Sequence, residues 1–178
     1  MIRILHAADL HLDSPFEGLP EEKAALRRNE QRQLLRALAQ LRAESGAQLV
    51  LLAGDLFDSA ASWAGTEDTL RLALAEMEVP VFISPGNHDF YSRSEVGVPS
   101  SRYDPVSEEE LAASGLDYAA FGHVHAFSGL RRAGDCFYAW PGCPEGRGFD
   151  ETGEKGVIIA DVERGGVKAP AHVMSLLR

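Results

Sequence analysis

The sequence predicts an α/β domain in which a parallel sheet is followed by a second, strand-rich part, and three observations carry that expectation. Up to Ser84, apolar runs of strand length alternate with helical stretches in the order β-α-β-α-β, and connections of that length force parallel strands joined by helical crossovers. Four apolar runs end in polar clusters of Asp, Asn and His: Asp9-Leu-His11, Gly54-Asp-Leu-Phe-Asp58, Gly86-Asn-His-Asp89 and Gly122-His-Val-His125. Beyond His125 the chain breaks into short segments separated by Gly134, Pro141-Gly142 and Gly165-Gly166, which points to antiparallel pairing in a second sheet.

Met1 to Ala8 reads as the first strand, and Asp9 to Leu19, with Pro15 and Gly18, as the loop after it. From Glu21 to Glu44, Leu26, Leu34, Leu35, Leu38 and Leu41 recur at helical spacing among Arg, Glu and Gln, and Ser45-Gly46 supplies a C-terminal glycine cap. The charges of this amphipathic helix belong on its solvated face, with Arg27, Arg28 and Arg32 as the residues that could reach a phosphate. Leu49-Val-Leu-Leu-Ala53 is a continuous branched run, as in a strand buried on both faces, and Gly54-Asp55 sets a carboxylate at its C-terminal edge, where open α/β sheets hold ligands. Thr66 is expected to cap a second helix running to about Glu78, with Glu67 and Asp68 in its first turn. Val79 to Ser84, opened by Pro80, is the third strand. Phe90 to Pro105 has no periodicity, after which Ser107 and Glu110 form a capping box for a short helix stopping at Gly115. The remaining strands are Asp117 to Phe121, Phe127 to Arg131, Cys136 to Trp140, Gly156 to Glu163 and Val167 to Leu177.

With 178 residues, 45% of them hydrophobic and 25% charged, the chain suits a single domain, and neither a repeat nor an inter-domain linker is visible. Cys136 and Cys143 make no disulfide framework and, lacking a Cys or His beside them in sequence, a poor zinc site; a reduced, cytoplasmic setting is expected. Neither a signal peptide nor a membrane span is expected, since Arg3 is followed by no long apolar stretch and eighteen apolar residues nowhere run together. The formal charge of -10 argues against unaided, nonspecific DNA binding, which depends on cations neutralising phosphates.

Asp, Asn and His delivered to one rim suit divalent transition metals. Asp55 is the candidate bridge between two ions, Asp9, His11 and His125 complete the shell of one, and Asn87 and His123 serve the other. Two divalent ions so placed would activate water to attack phosphorus in line and take up charge on the phosphoryl oxygens. His88, beside Asn87, is the candidate catalytic residue, donating a hydrogen bond or proton to the phosphate or the leaving oxygen, with Asp89 as its orienting partner. His6 reads as a hydrogen-bonded core histidine and His172 as a surface residue. Asp58 reads as a loop carboxylate, with support of a neighbouring ligand as the other possibility. Trp63, Phe90 and Tyr91 read as packing residues that could alternatively stack on a base.

The four clusters, in this order, resemble the signature motifs of the calcineurin-like metallophosphoesterases. Leu5-His-Ala-Ala-Asp-Leu-His-Leu-Asp-Ser-Pro-Phe16 and Pro141-Gly-Cys-Pro-Glu-Gly-Arg-Gly-Phe-Asp-Glu151 look like the branch of SbcD- and YhaO-like DNA repair exonucleases. The resemblance implies a two-sheet sandwich flanked by helices (α/β/β/α) and a two-metal site, usually manganese in that branch. It places Asp9, His11, Asp55 and His125 on the first ion, Asp55, Asn87 and His123 on the second, and His88 as the catalytic histidine. It implies a metal-dependent phosphodiesterase acting on DNA or another phosphodiester, and, in full-length relatives, an ATPase partner and capping parts that this chain is expected to lack. The family has a further ligand histidine between its Asn-His and His-x-His motifs, whereas Phe90 to Gly122 contains none and is short by tens of residues. An internal deletion joined near Ser92 to Ser94 follows, with loss of central strands, a weakened second ion and water or Glu95 in the vacated position. A small phosphate-ester hydrolase and an inactive metal-binding scaffold are the alternatives.

Overall fold

The computed structural model describes residues 1–58, 65–89, 106–146, 151–174 and 176. Its elements are β1 (Ile2–Ala8), α1 (Glu21–Ser45), β2 (Leu49–Ala53), α2 (Thr66–Glu76), β3 (Val81–Ser84), α3 (Glu108–Ala113), β4 (Tyr118–Ala120), β5 (Arg131–Ala133), β6 (Cys136–Ala139), β7 (Gly156–Glu163) and β8 (Gly166–Met174). Among the described residues they form a five-stranded sheet, β3-β2-β1-β7-β8, and a three-stranded sheet, β4-β6-β5.

Strand alternation sorts the side chains into layers. On one face of the large sheet, Leu5 and Ala7 of β1 and Val50 and Leu52 of β2 pack against Leu35 and Leu38 of α1 and Ala73 of α2. On the other, Ile4 with Ile158, Ala160 and Val162 of β7 meets Ala139 and Tyr118 of the small sheet. The small sheet buries Cys136 and Tyr138 beneath Leu111 of α3. The architecture is therefore the mixed α/β, two-sheet arrangement flanked by helices that the sequence led us to expect.

The chain's own local chemistry sets the helix ends. Gly46, at φ 68°, donates to Ala43 O, and Ala47 donates to Arg42 O, so α1 closes in a Schellman turn. Ser107 Oγ accepts from Glu110 N at 3.2 Å while Glu110 Oε2 accepts from Ser107 N at 2.8 Å, the reciprocal box expected for α3. No helix among the described residues is long and apolar enough to cross a membrane.

Several expectations need correction. β7 and β8 form an antiparallel hairpin, but it joins the large sheet against β1 rather than a second sheet, because β1, buried on both faces, still needs a hydrogen-bonding neighbour on its free edge. β4 pairs parallel with β6, and residues 127–130 are not a strand: the segment expected at Phe127 to Arg131 is shifted to β5. β3 lies at one edge of the large sheet, with Phe82 65% exposed. Thr66 is the first residue of α2 rather than its cap; it is buried, and its hydroxyl donates to Asp13 Oδ1 at 2.9 Å. Along α1, Leu26 is exposed whereas Arg28 and Gln31 are buried. That inversion has a local cause: the loop before α1 offers polar backbone, so Arg28 donates to Pro15 O and Gln31 to His11 O.

Candidate metal centre

β1, β2 and β3 run parallel and end at one edge, where their loops are stitched together. Asp9 N donates to Gly54 O, His11 N to Asp55 O, Leu12 N to Leu56 O and Gly54 N to Ser84 O. The fourth loop follows β4, so the histidines His123 and His125 arrive from the small sheet and the centre lies at the junction of the two sheets rather than on one rim. His6 fixes that junction. It is buried in β1; its Nε2 faces Phe121 O at 3.2 Å and must donate, leaving Nδ1 to accept from Tyr118 Oη at 2.9 Å. Burial pushes the His6 pKa down to about 3, so the ring stays neutral as this pairing requires.

Glycine makes the close approach possible. A Cβ on Gly86 would stand 2.1 Å from Asp55 Oδ1, and one on Gly122 would stand 1.7 Å from Ala53 O. Just beyond, Asp9, His11, Asp55 and His123 all have φ between 42° and 73°, the left-handed region that Asp and His tolerate better than most residues. Such clustering of strained backbone is typical of functional sites.

Asp9, His11 and His125 present ligand atoms within 4.8 Å of one another. His11 Nδ1 lies 3.0 Å from Asp58 Oδ1 and His125 Nδ1 lies 2.7 Å from Glu151 Oε1. Each ring therefore donates through Nδ1, and the two Nε2 atoms face each other at 3.1 Å. Two lone pairs at that distance repel unless a cation lies between them; two nitrogens about 2.1 Å from one ion at right angles would stand about 3 Å apart. Asp55 Oδ2 is 3.9 Å from His11 Nε2. Asp9 Oδ1 accepts from His123 N at 2.7 Å, which leaves Asp9 Oδ2 buried with no hydrogen-bond partner. Asn87 Oδ1 is likewise buried without one. Orphaned acceptors of this kind, beside two opposed imidazoles, fit a divalent cation. Burial, the dominant cause, raises the Asp9 pKa to about 6, with the Asp55 charge adding to it and the His123 amide and the nearby His125 opposing it.

The second ion's candidates are less closely assembled. Asp55 Oδ1 accepts from His88 N at 2.9 Å, and His123 is exposed. Among the described residues, neither Asp55 nor His123 joins a cluster of three His, Cys, Asp or Glu ligand atoms within 4.8 Å. His88 is exposed, and its Nδ1 donates to the Asp58 carbonyl at 2.9 Å, leaving Nε2 as the outward nitrogen. Asp89 does not orient His88: its carboxylate accepts from Leu56 N, Phe57 N and Gly86 N, tying the β2 and β3 loops together. Asp58 is more than a loop carboxylate, since its side chain holds His11 and its carbonyl holds His88. Glu151 stands out in the sequence only as the end of the 141–151 motif. Cys143, free and buried, lies beside His125 and Glu151 in space although not in sequence. Ser92 to Ser94, Glu95, Trp63, Phe90 and Tyr91 lie outside the described residues, as does the side chain of His172.

Residues 2–105 match the family model described as calcineurin-like phosphoesterase, a span that contains Asp9, His11, Asp55, Asn87 and His88. The chain is similar to an uncharacterized metallophosphoesterase, YhaO, of Bacillus subtilis (strain 168), 25% identical over 240 residues that take in 93% of this chain and 59% of the relative. It thus spans somewhat under two thirds of that relative's length. Its fold is similar to that of YfcE, a phosphoesterase from E. coli, with a TM-score of 0.51 and 16% identity over 96% of this chain and 99% of the other. Because the match extends over more than half of the sequence and carries three of the four loops that converge on the candidate centre, the chain belongs to the calcineurin-like phosphoesterase family.

Proposed function

We propose that this chain is a metal-dependent phosphodiester hydrolase of the DNA repair exonuclease type, with two divalent ions, manganese by preference, and a second ion held less tightly than the first. The observation that carries the metal dependence is the pair of imidazole Nε2 atoms facing each other at 3.1 Å, each ring locked from behind by a carboxylate. Divalent ions, when bound, supply Lewis acidity and water activation. Asp9, His11, Asp55 and His125 would hold the first, and Asp55, Asn87 and His123 the second. Protonated on both nitrogens, His88 would keep its Nδ1–H on the Asp58 carbonyl and give its Nε2 proton to the leaving oxygen as the P–O bond breaks, returning to the neutral imidazole.

The nuclease reading is supported by the 5–16 and 141–151 motifs, whereas the similarity to YhaO supports a metallophosphoesterase and no finer reading. An internal deletion is supported by the same similarity: 240 residues are matched by 93% of a chain of 178, so the relative carries several tens of residues in that span that this chain does not have. One observation favours a small phosphate ester instead. The net charge is -10, and Arg27, Arg28 and Arg32 of α1 pair with Glu145, Glu21 and Asp13. An ATPase partner belongs to the nuclease reading alone.

Manganese-dependent release of nucleotides from linear DNA is the deciding assay. Turnover of an aryl phosphate diester or a mononucleotide but not of DNA selects the small-ester reading; metal binding with no turnover of any of them selects a scaffold. Within either active reading, His88→Ala should keep manganese affinity within about threefold and lower kcat by about 10² to 10⁴. A parallel loss of metal would show His88 to be a ligand rather than an acid.

A further inference from the structure

Beyond the family match, which ends at residue 105, Gly142, Cys143, Glu151 and Lys155 lie against the His125 loop. Gly156 N donates to Cys143 O. A Cβ on Gly142 would stand 3.0 Å from His125 O, so the turn there lies directly against that backbone. Lys155 Nζ donates to His125 O at 3.0 Å, and the Cys143 thiol faces both His125 O and Glu151 Oε2 at 3.7 Å. At the centre of this contact the His125 ring gives its Nδ1–H to Glu151 Oε1 at 2.7 Å, with the Glu151 side chain 13% exposed.

We infer that Glu151 is a positioning residue of the metal centre: it holds His125 in the tautomer that presents the Nε2 lone pair, and aims that lone pair at the point His11 also addresses. The inference rests on the metal-centre reading above. Its physical reason is geometric and electrostatic together. An imidazole can carry its single proton on either nitrogen, and an acceptor behind Nδ1 selects the tautomer that leaves Nε2 free. A charged acceptor also raises the basicity of the ligating nitrogen, and removing such a partner typically weakens metal binding about 10- to 100-fold. Asp58 stands in the same relation to His11, with Nδ1 to Oδ1 at 3.0 Å, so the two rings are held by carboxylates from two different loops. Sequence spacing hides this, since Glu151 and His125 are 26 residues apart with a strand pair between them.

Manganese titration by calorimetry of the full chain, wild type against Glu151→Ala, Glu151→Gln and His125→Ala, tests the inference, together with melting of each protein in chelator. Glu151→Ala should bind the tighter ion about 10- to 100-fold more weakly. Glu151→Gln, which retains an acceptor for Nδ1–H, should recover part of that loss. Wild-type affinity in Glu151→Ala overturns the positioning role, and so does a Glu151→Gln no tighter than Glu151→Ala. If Glu151→Ala melts too low to titrate, Glu151→Asp replaces it: drawing the carboxylate back by one methylene should weaken binding as truncation would, and unchanged affinity overturns the role. His125→Ala separates the two levels. Wild-type affinity there refutes the metal centre itself, whereas loss there with no effect at Glu151 refutes only the positioning.

Discussion

Asp9 shows what the centre costs when metal is withheld. It is 1% exposed, and burial, ahead of the neighbouring Asp55 charge, raises its pKa from 3.8 to about 6. Between those two values the folded protein keeps a proton that the unfolded chain releases, so the Asp9 contribution to stability is full below about pH 4 and is lost as pH rises through about 6, by about 3 kcal/mol at about 1.4 kcal/mol per unit. In chelator, Asp9→Asn should therefore gain on the wild type by about 3 kcal/mol between about pH 4 and pH 7 in urea denaturation; a pH-independent difference would place the carboxylate in solvent. Saturating manganese should reverse the order, because only the wild type then binds fully. Single residues were legible where chemistry is local. Asp9, His11, Asp55, Asn87, His88, His123 and His125 stood out as short polar clusters at strand ends, and His6 as a core histidine. Asp58 and Glu151 were not legible as partners of His11 and His125, because which carboxylate stands behind which ring is decided by tertiary packing, not by spacing.

The same divide holds for elements. End signals that the backbone reads within one turn, such as Gly46 after α1 and Ser107 with Glu110 before α3, translated directly into structure. Sheet membership did not: nothing local in Gly156 to Glu163 says that Ile159 will stand opposite Leu5, a register partner at the other end of the chain that only the folded core brings near. What binds elements into a site is the set of glycines at the strand ends, Gly54, Gly86 and Gly122. Gly122→Ala would drive a methyl group to 1.7 Å from Ala53 O, with backbone on both sides of the clash, so the β4 loop must retreat from β2. A loss of about 3 kcal/mol or more is expected, together with weaker manganese binding. Gly18→Ala is the control: a methyl there meets nothing within 4 Å and Gly18 has an ordinary φ, so its stability should stay level or rise by about 0.5 kcal/mol. Equal effects of the two substitutions in urea denaturation would refute close packing of the loops.

At the scale of the whole molecule the two halves of the proposed centre are unequally built. The first set converges from both sheets, with Asp9 and His11 buried, a carboxylate behind each imidazole and an orphaned acceptor at Asp9 Oδ2. The second rests on Asp55, which also accepts from His88 N, on the Asn87 amide oxygen and on the exposed His123. A dication is bound by the sum of its ligands, so a set without a second well-held imidazole should bind more weakly, by roughly tenfold or more if a direct ligand counts at least as much as an outer partner. Manganese titration of the wild type should then resolve two steps. Asn87→Ala should remove the weaker one and leave the tighter within about threefold, whereas His11→Ala should remove the tighter. Two ions of equal affinity would mean that the second site is complete, and with it that no ligand was lost between Asn87 and His123.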